Sequence, residues 1–477
     1  MRRAILIIVI LASGCRTTDA PRRLDALFSD LHQRGLFDGA VVVGQGREVV
    51  WEKGYGLANV ERQVPFTPDT PSDGASLAKT FTAAIVLMLA RDGALDLDAP
   101  AQRLLPELPY PDITLRHLLS HSSGLPVLDY DFFDRYLPPD RIRTTEELLR
   151  VLGNEKPALV SAPGTAFEYS SFGYDLAALA GARAAGKPFG ELLRERIFLP
   201  LGITSAFLRP GRLSEFPGVR TVGYRRVDGK LQLNEVFDME AFHGGSNIYI
   251  SAHDLHRWNA SPLSEAQTEF ARVGGAASAL TLGNWYRSAD GELFSYAGHL
   301  QGFHSEVFRN TRSRRSIVYV SNNTIDPWMQ HGIVRAVNAI LDGRELPSLT
   351  APAVDAVPKE DRGRLAGRWG MPDGDVLTIE LAERRLSMSR NGVSYRMVQV
   401  EPRAFYVPGL DYMVGLAGDR IYVSSNFDER WSAARASSRV ESSVGNAEFE
   451  SSRISGSSVH PRITASQPSS LMRAMTR

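Results

Sequence analysis

Ser76 is followed three residues later by Lys79 in the run Ala75-Ser76-Leu77-Ala78-Lys79-Thr80. A serine hydroxyl is a poor nucleophile at neutral pH, so chemistry at such a residue needs a base held against it. Lysine at i+3 on a helix supplies one. The two side chains share a face of the first turn, and the helix N-terminus favours negative charge developing at the serine. This spacing therefore allows attack of the serine oxygen on a carbonyl carbon, with the amine handling the proton. The plain alternative for the same residues is an N-cap serine on a core helix.

The elements that must position the pair are legible around it. From Thr80 to Ala90 the residues Phe81, Ala83, Ala84, Ile85, Val86, Leu87, Met88 and Leu89 are apolar on every side, the pattern of a helix buried in a core, and Gly93 ends it. Residues 24–35 read as an amphipathic helix, and 39–44 and 48–52 as a hairpin that begins a sheet. Further helices fit 114–120, 144–152, 172–185 and 189–198; strands fit 218–224, 293–297, 304–308 and 316–321. Helices in the middle and strands at both ends predict one antiparallel sheet, closed by distant pieces of chain, with a helical lobe inserted. Beyond a proline and alanine linker near 347–358, short strands at 367–370, 376–381, 385–389, 396–400, 404–407 and 420–423 predict a small β-barrel or sandwich. The resulting division is a signal segment and linker at 1–23, a catalytic domain at 24–346, a small all-β domain at 347–432, and a Ser/Arg-rich tail at 433–477 read as disordered.

Composition narrows the function classes. The chain of 477 residues is 43% hydrophobic and balances 54 basic against 54 acidic residues. With no basic block interleaved with aromatics, nucleic acid is not an expected partner; a small-molecule or peptide substrate is. Arg2 and Arg3, the apolar run Ala4 to Leu11 and then Ala12-Ser13-Gly14-Cys15 read as a secretory signal. Cys15 is the single cysteine, so no disulfide can form within one chain. The segment is similar to a bacterial lipoprotein signal, which implies lipidation of Cys15 and a lipid-anchored protein of the periplasm or outer membrane. Ala12 stands where leucine is usual, and cleavage without lipid is the alternative. His253 and His256 flank Asp254 at helical spacing and read as a solvent-facing helix, since no H-E-x-x-H or thiolate cluster accompanies them. No metal or cofactor is expected. A G-x-S-x-G elbow is missing, and so is the class A β-lactamase set.

Three segments together resemble the serine β-lactamase and penicillin-recognising family, in its class C branch with D-alanyl-D-alanine peptidases, D-aminopeptidases and carboxylesterases. They are Ala75 to Phe81 with Gly93 to Pro100; Ile113-Thr114-Leu115-Arg116-His117-Leu118-Leu119-Ser120-His121-Ser122-Ser123-Gly124-Leu125; and Pro163 to Ser171. The resemblance covers about residues 25–345 and implies an α+β fold, a β-lactamase/transpeptidase-like antiparallel sheet with a helical lobe. It makes Ser76 the nucleophile, with Lys79 and Tyr169 sharing its proton, and puts Ser171 where the family has asparagine. The histidines of the second segment are implied to be structural. A third element is implied at Tyr296-Ala297-Gly298, with tyrosine in the usual place of lysine or histidine; a register on His299 is the alternative. The preferred register implies Tyr296, Ser171 and Gly298 at the substrate and the backbone N–H groups of Ser76 and His299 as the oxyanion hole. Asn247 reads as a turn asparagine or as a substitute amide donor. The all-β domain is similar to the lipocalin-like domains of some D-aminopeptidases. An acylatable sensor and a degenerate envelope protein are the competing functions.

Overall fold

The computed structural model describes residues 19–436, apart from short stretches, of which 127–131, 138–141, 236–239, 372–375 and 425–430 are the longest, and isolated positions. The signal segment with Cys15 and the tail from residue 437 lie outside the described residues.

An eight-stranded antiparallel sheet organises the first part of the chain. In spatial order it runs Phe270–Val273, Ala276–Thr281, Tyr286–Arg287, Leu293–Leu300, Phe303–Asn310, Arg315–Ser321, Gly39–Gln45 and Glu48–Tyr55. Strands from the two ends of the segment meet where Ala40 pairs with Val320 and Val42 with Val318. Alternation along Gly39–Gln45 explains why both faces are covered. Val41 and Val43 face the helices Ala20–Gln33 and Pro327–Leu341, joining Leu24, Phe28, Ile333 and Val337. Ala40 and Val42 face the other way, toward Phe81, Ile85, Leu255 and Trp258. Each buried aliphatic side chain contributes about 1.5–3 kcal/mol relative to exposure. The sheet thus fixes the helix Ala78–Arg91 as a rigid platform.

That helix is apolar all round because its opposite side packs into the helical lobe. Ala83 and Val86 meet Leu118, Leu119, Leu148, Leu149, Tyr174, Ala177 and Ala180, carried by Leu115–Leu119, Thr145–Glu155 and Ser171–Ala185. Thr114 and Thr144 close capping boxes at the first two of these helices, and Ser170 accepts the Gly173 N–H at the third.

The C-terminal part is a nine-stranded antiparallel sheet. Val393–Arg396 and Val398–Glu401, neighbours in sequence, lie at its opposite ends. The sheet therefore curls into a nearly closed barrel around Trp369, Leu377, Ile379, Met388, Val414, Ile421 and Val423. The protein is accordingly α+β, with a β-lactamase/transpeptidase-like sheet and helical lobe and a small all-β C-terminal domain.

Several expectations need correction. Val219 lies outside the described residues, and of the others among 218–224 only Tyr224 is in a strand, Tyr224–Val227. Their backbone bonds go elsewhere, Val222 N to Ala58 O and Tyr224 N to Asn322 O. Trp431–Arg435 is a strand of the barrel, so the tail does not begin at Ala433. Ala433 is buried and the Arg435 guanidinium lies over the Trp369 ring at 4.7 Å, a contact that the Ser/Arg composition concealed. Nor is the helix Ala252–Asn259 solvent-facing. Asp254 is buried and accepts the N–H groups of Thr204 and Ser205, and His256 is buried against Ser316 at 3.0 Å. Only His253 of the three stays partly open, beside Asp69.

Candidate active site

Ser76 lies in the 3-10 turn Ala75–Leu77 that leads into Ala78–Arg91. Ala75 has φ +48°, the left-handed region that side-chain-bearing residues rarely adopt. The turn is held there from several sides. Asp73 Oδ1 accepts the Ala75 N–H at 2.7 Å, Gly74 N donates to Ile248 O at 2.8 Å, and Ser305 Oγ donates to Gly74 O at 2.8 Å. Asp73 itself is completely buried, and burial pushes its carboxyl up to about 7.

Lys79 has no exposed surface, and its ammonium hydrogens are all placed. Nζ lies 3.2 Å from Ser76 Oγ, 3.2 Å from Ser171 Oγ and 2.6 Å from Gly245 O. It also sits over the rings of Tyr169 at 4.9 Å and Tyr174 at 5.8 Å. The Gly245 carbonyl is aimed by Asp175, whose Oδ1 accepts the Gly245 N–H at 2.7 Å. Burial pushes the Asp175 carboxyl up to about 6, with the Lys79 charge acting against it. A Cβ on Gly245 would come within 2.5 Å of Ser171 O. Only glycine therefore lets this carbonyl approach the lysine.

Tyr169 completes the group from the far side: its hydroxyl is 3.1 Å from Ser76 Oγ. The segment carrying it ends at Ser170, which caps the helix Ser171–Ala185, and the His121 ring packs on the tyrosine ring with centroids 4.5 Å apart. Ser76 and Lys79 are thus brought together as their spacing required, with Tyr169 and Ser171 beside them as the resemblance implied.

At the third element, Gly298 is the residue against the nucleophile. A Cβ there would meet Gly74 O at 2.3 Å and the Ser76 N at 3.0 Å. Past Ser295 the outer edge of Leu293–Leu300 has no further pairing with Tyr286–Arg287 and faces the nucleophile turn instead. The His299 ring points away, edge-on to His304 at 4.3 Å. Tyr296, implied at the substrate by the motif register, is fully buried like Ser76 and Lys79, stacked on Tyr286, its hydroxyl accepting from Asn284 Nδ2 at 2.7 Å and hydrogen-bonded to the Tyr169 phenol. Asn247 is a turn residue at φ +67°, its amide donating to Phe242 O at 2.7 Å.

Sequence reasoning missed Gly245, Asp175, Asn284 and Ser305. A Gly-Gly pair at 244–245 is the one signal that invited attention. The others are single polar residues, recognisable only once the chain has folded. Among the described residues no group of three or more His, Cys, Asp or Glu side chains could hold a metal ion.

A serine held between a lysine and a tyrosine, on a buried helix beside an antiparallel sheet, is the arrangement of a serine hydrolase fold. The family described as Beta-lactamase matches residues 24–337, and the chain belongs to it. It is 25% identical over 396 residues to penicillin-binding protein 4* of Bacillus subtilis (strain 168), covering 78% of this chain and 88% of that one. Among solved structures, the octameric penicillin-binding protein homologue from Pyrococcus abyssi superposes with a TM-score of 0.58 at 19% identity, over 86% of this chain and 99% of its own. The D-amino acid amidase from Ochrobactrum anthropi SV3 superposes with a TM-score of 0.51 at 24% identity, over 65% of this chain and 92% of its own.

Proposed function

We propose that the protein is an exported serine hydrolase of the class C type that cleaves an ester or amide through an acyl-Ser76 intermediate. The observation that carries this reading is the placement of Ser76 Oγ within 3.2 Å of Lys79 Nζ and 3.1 Å of the Tyr169 hydroxyl. Ser76 attacks the carbonyl carbon while its proton passes to the Tyr169 and Lys79 pair. The N–H groups of Ser76 and His299 receive the oxyanion, and the same pair returns the proton to the leaving alcohol or amine. Water then enters by the same route and releases the acid. Ser171 acts through Lys79, and Gly298 lets the substrate lie against the strand edge. The site needs no cofactor for these steps. Export and a lipid at Cys15 rest on the N-terminal sequence pattern.

Hydrolysis of a panel of short-chain nitrophenyl esters, D-amino-acid amides and a chromogenic cephalosporin tests the reading. Wild type is expected to turn over at least one ester or amide, with Ser76→Ala and Lys79→Ala slowed about a thousandfold or more, as for loss of an activated nucleophile or its base. A folded wild type inert on every substrate, or Ser76→Ala as active as wild type, overturns it.

A further inference from the structure

Behind Tyr169 runs a row of buried polar groups whose hydrogen positions the contacts dictate. The Ser170 N–H donates to His121 Nδ1 at 3.1 Å, so that ring nitrogen is an acceptor. The hydrogen of the neutral imidazole is therefore on Nε2, which lies 3.2 Å from Asn284 Oδ1. Burial, with the Lys79 charge adding to it, holds His121 well below its ordinary value and keeps it neutral. With the oxygen of Asn284 committed to His121, its amide nitrogen faces Tyr296 and donates to that hydroxyl at 2.7 Å. The opposite amide orientation would set two donors against each other. Tyr296 accepts from Asn284, so its own hydrogen is left for its other hydrogen-bonding partner, the phenol of Tyr169.

We propose that His121 and Asn284 fix the direction of this row so that Tyr296 donates a hydrogen bond to the Tyr169 oxygen, making Tyr296 a positioning residue for the proton step at Ser76. The inference rests on the acyl-serine reading above. One proton is shared along Lys79, Ser76 and Tyr169, and it can sit at either end with every donor still on an acceptor. With the proton at the lysine end, Lys79 donates to Ser76, Ser171 and Gly245, and Ser76 donates to an anionic Tyr169. With the proton at the tyrosine end, Tyr169 donates to Ser76 and Ser76 donates to a neutral lysine. Tyr296 donates to Tyr169 in both arrangements. A bond to a charged oxygen is about twice as strong as one to a neutral oxygen, so the donor favours the arrangement in which Tyr169 accepts the serine proton. No proton leaves Tyr296; the transfer is between Ser76 oxygen and Tyr169 oxygen alone.

The geometry around the row supports the assignment. Asn284 sits in the turn between Ala276–Thr281 and Tyr286–Arg287 at φ +61°, a left-handed position that asparagine tolerates better than most residues. Tyr296 is clamped on the Tyr286 ring at 5.8 Å. The titratable groups facing Tyr169 and Tyr296 are Lys79, His121, Tyr174, Tyr286 and, behind Lys79, Asp175.

The test compares wild type, Tyr296→Phe, Asn284→Asp and the double variant on an ester that wild type hydrolyses, with kcat and KM measured across pH. Tyr296→Phe keeps the ring and removes the donor. Asn284→Asp still accepts from His121 but cannot donate, so it draws the Tyr296 hydrogen away from Tyr169. Each single variant is expected to lose about tenfold in kcat with KM little changed, the charged-against-neutral difference expressed as a rate. The acid limb of kcat/KM is expected to move to higher pH, and the double variant to be no slower than the worse single one. Folding of Tyr296→Phe is checked by its melting curve, and it decides the matter alone should Asn284→Asp not fold. Unchanged kcat and pH profile in folded Tyr296→Phe, against an active wild type, overturns the inference. A wild type inert on every ester and amide instead defeats the acyl-serine reading on which it rests.

Discussion

Asp73 lies beneath the nucleophile turn with no exposed surface, and its Oδ2 has no hydrogen-bond partner. Burial raises its carboxyl from the ordinary 3.8 to about 7, the buried Ala75 N–H and Arg209 opposing the shift. The native state therefore keeps a proton that the unfolded chain releases, and stability falls as pH rises from 3.8 toward about 7. Asp175, raised to about 6, acts with the same sign over a narrower window. Asp73→Asn can still accept from Ala75 but cannot ionise. Its melting temperature is expected to fall less between pH 4 and pH 7 than that of wild type, and parallel curves would count against a buried carboxyl that titrates there.

At the scale of elements, the site depends on close backbone approaches more than on side-chain reach. Gly298 on Leu293–Leu300 leaves room for Gly74 O and Ser76 N where a methyl would sit at 2.3 and 3.0 Å. Gly298→Ala must push the strand and the turn Ala75–Leu77 apart. Overpacking of this kind costs about 1–3 kcal/mol of stability, and misplacing the nucleophile is expected to lower kcat/KM about a hundredfold. An alanine variant within threefold of wild type would show that the edge does not set the serine. The same logic separates what the sequence shows from what it hides. The helix Ala78–Arg91 is readable because nine of the eleven residues from Thr80 to Ala90 are apolar, and the start of the sheet because two β-prone runs, 39–44 and 48–52, flank a Gly turn. Phe270–Val273, Ala276–Thr281 and Pro327–Leu341 escaped notice, because short strands with polar residues and a helix carrying His331 and Arg335 have no such unbroken pattern. Motif register gives Tyr296 only its strand position. Its partner Asn284 is 12 residues away, and His121, which bonds the Asn284 oxygen, is on another element, so only folding brings the three together.

In the whole molecule the C-terminal barrel is not remote from the chemistry. Tyr395 packs against Phe167 with ring centroids 5.3 Å apart, two residues before Tyr169. Next to it, burial raises the Glu168 carboxyl, and the charges of Arg396 and Arg385 on the barrel pull it back. The barrel thus backs the segment that delivers Tyr169 to Ser76. Tyr395→Leu keeps an apolar side chain in place but loses the ring contact. It is expected to lower kcat about three- to tenfold through the loosened tyrosine, since small misplacements of a reacting group are costly. A variant with a lower melting temperature and unchanged kcat would make the contact purely structural.

Ser76, as an activated nucleophile, is expected to react with a fluorophosphonate. Intact mass of the protein after incubation with a fluorophosphonate, beside Ser76→Ala, reads this directly. One adduct on wild type and none on the variant is the predicted result. A folded wild type that stays unmodified, or equal labelling of Ser76→Ala, would contradict it.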